Sequence, residues 1–176
     1  MSGQAGRYQR SAGGMVGALV VLLALVGAFV AFRALSRDDP PSPVREVDYV
    51  QVADYARKQT DFEVVAPTSL PAGWRATTVS YIDGEDGRWH LGLLTGQDDY
   101  VGLEQAESSE ESMVATYVDE AAVPGDAIDV AGLPWTTWSD DGGDLALVRE
   151  VGGTVTLVVG NEVPRQELVD FAASLR

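Results

Sequence analysis

The chain of 176 residues contains no cysteine. Disulfides, Cys-ligated zinc, iron–sulfur clusters, thiol nucleophiles and a lipid anchor on cysteine are therefore excluded. The absence does not choose a compartment, because a thiol-free chain folds equally well on either side of a membrane. Histidine occurs once, at His90, and lysine once, at Lys58. Three phosphate-binding or nucleophile signatures are also missing: G-x-x-x-x-G-K-[ST], G-x-G-x-x-G and G-x-S-x-G. No nucleotide loop or serine elbow is thus flagged.

Positive charge is scarce, with 12 Lys and Arg against 27 Asp and Glu. It is also unevenly placed. Residues 1–37 carry Arg7, Arg10, Arg33 and Arg37 and no acid, or +4; residues 38–176 carry 8 bases and 27 acids, and 8 − 27 = −19, for the net −15. A part this acidic repels phosphate backbones and anionic headgroups, so no nucleic-acid partner is expected.

What the chain does have is one long apolar run, "GGMVGALVVLLALVGAFVAF", residues 13–32, with no charged residue between Ser11 and Phe32. Twenty helical residues span about 30 Å, the thickness of a hydrocarbon core. The run lacks the polar stripe of a soluble helix. A transmembrane helix over 13–32 is expected, with the lipid bilayer as its partner. It is longer than a signal-peptide core, and Arg33 interrupts the weak cleavage pattern at Ala34–Ser36, so a retained signal-anchor is the reading. Residues 1–12 form a short basic tail. Flanking arginines nearly balance; with everything foldable following the run, the expected topology is a cytoplasmic N-terminus and an extracytoplasmic C-terminal domain at the plasma membrane. Gly13 and Gly17, then Ala24 and Ala28, keep small-x-x-x-small spacing, which leaves a homodimer open.

A Pro-rich linker, 33–46, follows; Pro40, Pro41 and Pro43 make it a semi-rigid spacer. Residues 47–176 read as one domain. A helix is predicted over 47–59, a strand over 62–66 ending at Pro67, and a turn at "LPAGW". Strands over 75–82, 88–95 and 100–106, separated by Gly/Asp turns, form a meander. A helix over 108–118 opens with Ser108 and Glu111 at capping-box spacing. Four more strands are read over 126–132, 133–140, 144–150 and 153–159. In the closing helix, 164–176, Leu168, Phe171, Ala172 and Leu175 recur at i, i+3, i+4, i+7. Strands in runs with helices between them make an α+β fold: antiparallel β-meanders packed against two or three helices, one sheet face buried and the other solvated.

No reactive constellation accompanies this fold. His90 faces away from Trp89, Leu91 and Leu93; a catalytic role needs an oriented partner in a pocket beside it. "DGEDG", residues 83–87, and "SDDGGD", residues 139–144, miss the register of a calcium loop and read as hairpin turns. No catalytic, cofactor-binding or metal-ligating residue is assigned. Trp74, Trp135 and Trp138, with His90, are the candidate ligand or partner surface, since pockets concentrate aromatics. Trp135 and Trp138 lie three apart in a strand, so one is expected in the core and the other partly exposed.

"PTSLPAGWRATTVSY", "GRWHLGLLT", "YVGLEQA", "DVAGLPWTTW" and "ELVDFAASL", together with the anchor and spacer, resemble an actinobacterial family of single-pass membrane proteins, domain-of-unknown-function family 4245. The resemblance covers nearly the whole chain and implies an envelope-associated protein with no assigned activity or catalytic residues. The function expected is a non-catalytic extracytoplasmic module that binds an envelope protein or small ligand. The alternatives are an enzyme with its site near His90 and a regulatory subunit signalling through the membrane helix.

Overall fold

Twenty-four consecutive residues, Ala12–Leu35, form helix α1. The computed structural model describes residues 12–35, 45–84 and 87–176, and side chains within α1 from 14 to 29. The basic tail and most of the linker, and with them Glu85 and Asp86 of the first acidic turn, lie outside the described residues. Among the described residues no helix is long and apolar enough to cross a membrane. The chain divides into two compact units, Met1–Pro43 and Val44–Arg176.

In the second unit, α2 (Tyr49–Ala56) precedes strands β1 (Arg75–Ile82), β2 (Arg88–Leu94) and β3 (Tyr100–Glu107). Helix α3 (Glu110–Tyr117) follows, then β4 (Val123–Pro124), β5 (Ile128–Val130), β6 (Leu133–Ser139), β7 (Asp144–Val151), β8 (Thr154–Asn161) and α4 (Arg165–Ser174). The architecture is α+β, as expected. The two meanders are not separate: β3 pairs antiparallel with β8, giving the order β1-β2-β3-β8-β7-β6-β4, with β5 on β6.

Both faces of this sheet carry a core, which corrects the expectation of one solvated face. Trp89, Leu91, Leu93, Val101, Leu103, Leu147 and Val158 point to the first face, where Ala53 and Ala56 of α2 and Leu168, Phe171 and Ala172 of α4 join them. Ala106, Ala146, Val148, Val155, Leu157 and Val159 point to the second, with Met113 and Val114 of α3. Central strands buried on both faces lose the alternation that a half-buried strand shows; in β3 all six residues from Val101 to Ala106 are buried.

Three local readings are also corrected. Residues 62–66 make no ladder. Phe62, Val64 and Ala66 are buried in alternation, but the segment is held by side chains and by one isolated bridge, Pro67 to Leu175. The cap of α3 is Ser109 rather than Ser108: its Oγ accepts from Ser112 N at 3.2 Å, and its extended φ and ψ start the helix one residue later than expected. Pro164 stands at the N-cap of α4, outside the first turn. The short β4 carries too few residues for any periodicity to announce it.

Leu103 is fully buried at the centre of β3, whereas Leu133 is 41% exposed. Leu103→Ala is expected to cost about 2–5 kcal/mol of unfolding free energy by urea titration, and Leu133→Ala within about 0.5 kcal/mol of zero. Equal costs would contradict the assigned core.

Candidate functional site

A cleft is built at the start of the second unit. Asp48 caps α2, its Oδ1 accepting from Val50 N at 3.1 Å. One turn later the chain returns as the extended segment 62–67, which has no neighbouring strand to satisfy its backbone. Side chains do so instead. Gln105, buried in β3, donates from Nε2 to Glu63 O at 3.2 Å and accepts from Val65 N at 2.8 Å. Arg57 donates from Nε to Val64 O at 3.0 Å. Ala66 and Arg176 exchange two backbone bonds, at 3.1 and 3.2 Å. The Tyr49 hydroxyl donates to Pro67 O at 3.1 Å, and burial, then the Asp48 carboxylate, raise its pKa.

Between α2 and this segment lies a cleft of about 600 Å³, lined by Tyr49, Val50, Ala53, Phe62, Val64, Ala66 and Pro67, with Arg57, Glu63, Thr68 and Arg176. This is the size and apolar character of a small-molecule pocket. No residue of the expected surface of Trp74, His90, Trp135 and Trp138 lines it.

Those four are not brought together. Trp74 stacks on Phe171, centroids 5.4 Å apart and planes at 25°. Trp135 is buried in the first core; its Nε1, like that of Trp89, has no partner among the described residues. Trp138 packs on the second core and donates from Nε1 to Glu110 Oε1 at 2.5 Å. One tryptophan of the β6 pair is thus core and the other partly exposed, as their spacing requires.

His90 has the partner that sequence reading did not find. On the second face, its Nδ1 lies 2.5 Å from Glu104 Oε1 and its Nε2 lies 3.0 Å from Thr78 Oγ1. With Nδ1 donating to the carboxylate, Nε2 accepts from the hydroxyl in the neutral ring and donates to it in the charged one. Register produces this: β2 pairs His90 with Glu104, and with Ser80 of β1, placing Thr78 on the diagonal. Gly92 makes room, because a Cβ there would collide with Thr78 Oγ1. The Tyr100 ring lies over the facing glycines, Gly92 and Gly102; its pKa is pushed up to about 12 by burial, then by Glu104 and Tyr117. Glu104 has only 4% of its side chain exposed. Burial raises its pKa above the ordinary value of 4.5, and His90 and Arg88 offset this in part. The hairpin carried a signal for Glu104, since a turn over 95–99 sets it opposite His90. Thr78 carried the same kind of signal, since one unbroken register from Ile82–Arg88 to Thr78–Gly92 sets it diagonal to His90, and the bulge between Ala76 and Thr78 lies beyond it.

A carboxyl whose folded pKa is raised loses stability as pH climbs from its unfolded value, near 4.5, through the folded one. Urea midpoints of the native chain and Glu104→Gln, measured from pH 4 upward, are expected to show the native chain losing stability relative to the variant across that window. A difference that stays flat or grows in favour of the native chain contradicts the burial of an ionisable carboxyl.

No curated protein matches the chain. A family model described as "Protein of unknown function (DUF4245)" matches residues 7–175. The match covers nearly all of the sequence, as the resemblance implied, and the chain belongs to that family.

Proposed function

We propose that the protein is a membrane-anchored, non-catalytic envelope protein whose α+β unit binds a ligand or partner outside the cytoplasm. The observation that carries this reading is a bare apolar helix. Every large apolar side chain of α1 from Met15 to Phe29 is at least half exposed, from 74% at Met15 to 51% at Val26. The described residues leave them uncovered, and lipid is the solvent that would cover them. The helix of 24 residues, at about 1.5 Å each, is about 36 Å long, and its run from 13 to 32 holds no charge. A binding role for the second unit rests on the 600 Å³ cleft.

A second reading is favoured by the Thr78–His90–Glu104 chain. Hydroxyl, imidazole and buried carboxylate stand in the order of a nucleophile, its base and the group that orients the base. Neither the 600 Å³ cleft nor a second groove of about 310 Å³ between Arg88 of β2 and Tyr117 of α3 includes His90, and a water-excluding site is what that chemistry requires. Labelling of Thr78 by a fluorophosphonate, lost in Thr78→Ala, would favour this second reading over the first.

The full-length chain is expected in the membrane fraction, resisting alkaline carbonate and released by detergent. Leu22→Arg with Leu23→Arg is expected to make it carbonate-extractable, each charge at mid-helix costing about 2.5–3.5 kcal/mol of insertion. A native chain recovered from the soluble fraction without detergent contradicts the anchored reading.

A further inference from the structure

We propose that the cleft between α2 and residues 62–68 holds the alkyl chain of a long-chain fatty acid, with Arg57 facing its carboxylate. This rests on the binding reading above and names the ligand class. The walls offered by Tyr49, Ala53, Phe62, Val64 and Ala66 are apolar, and Val50, also lining the cleft, is left about half exposed. An unbranched hydrocarbon is the ligand that such walls reward, since each methylene removed from water is worth about the same.

The head group follows from charge. Residues 44–176 carry 8 bases and 25 acids, 8 − 25 = −17, so most of this surface repels a carboxylate. Arg57 and Arg176 both line the cleft, against Glu63 on its wall and Asp54 beside Arg57. Two bases against two acids leave the cleft neutral within a strongly acidic unit.

Arg57 is also held in place. It donates from Nε to Val64 O, from Nη1 to Asp54 Oδ1 at 3.1 Å and from Nη2 to Arg176 O at 3.0 Å. A guanidinium has five N–H groups, so two remain for a ligand after these bonds. A fixed fork loses little side-chain entropy on binding a carboxylate. Among the described residues the Arg176 guanidinium bonds through Nη1, toward Ala173 O and Leu175 O.

The test uses the full-length chain in phosphatidylcholine nanodiscs with palmitate bearing a terminal diazirine. After irradiation, saturable label is expected on the peptides containing Tyr49 and Phe62. Palmitate is expected to compete at least tenfold better than methyl palmitate, which cannot pair with Arg57. Ala53→Trp fills the cleft and is expected to abolish this label. Val50→Trp, at a half-exposed position, serves the same purpose if Ala53→Trp does not fold. Label confined to α1, equal competition by the ester, or label unchanged in the folded variant would each overturn the proposal. A chain that keeps its carbonate-resistant membrane residence but takes no label in the cleft refutes the fatty acid alone. One that leaves the membrane refutes the anchored reading.

Discussion

The antiparallel pairing of β3 with β8 is the contact on which the second unit depends. Seven residue pairs, from Val101–Gly160 to Glu107–Thr154, join an N-terminal meander to a C-terminal one across 47 to 59 residues of chain. Without it, β1–β3 and β4–β8 would be two small sheets, each with an edge to hide. With it, β3, β8 and β7 become central strands, and their side chains are buried above and below. A core on both faces then follows, which is why α2 and α4 are needed on one side and α3 on the other.

The same pairing places both candidate sites. Gln105 of β3 reaches beyond the ladder, bonding Thr156 Oγ1 of β8 at 3.0 Å and the backbone of Glu63 and Val65. It acts as a substitute strand for a segment that has none, and so fixes one wall of the cleft. On the opposite face, Glu104 sits beside Leu157, its β8 partner. That apolar neighbour, with the second core around it, explains why burial raises the Glu104 pKa, and the facing strand β2 supplies His90 as its partner. A polar chain at the boundary of a core costs desolvation, and hydrogen bonding at both ends of the imidazole offsets it.

Much of this was legible in the sequence, for identifiable reasons. β1 and β2 were read almost to the residue because alternation there reports one buried face and Gly/Asp turns mark the ends. The α4 stripe of Leu168, Phe171, Ala172 and Leu175 was legible because a surface helix buries one side. The α3 cap slipped by one because Ser108 and Ser109 are both competent, and only backbone geometry chooses between them. Residues 62–66 carry a strand's burial pattern without a strand's ladder, a difference that periodicity cannot register. The cleft was missed because its walls are ordinary apolar residues from two segments joined by side-chain-to-backbone bonds, Tyr49 to Pro67 and Arg57 to Val64, that periodicity does not report. The aromatic surface of Trp74, Trp135 and Trp138 was inferred from residue type alone, whereas these rings serve two different cores and a stacking contact on Phe171.

The reading proposed above is of a self-contained sheet unit tethered through lipid and facing away from the cytoplasm. Protease treatment of intact spheroplasts tests it most directly. The account expects cleavage in the Pro-rich spacer, release of an intact fragment beginning near Val44, and retention of α1 in the membrane. A full-length chain untouched in intact spheroplasts but cut after lysis would contradict it.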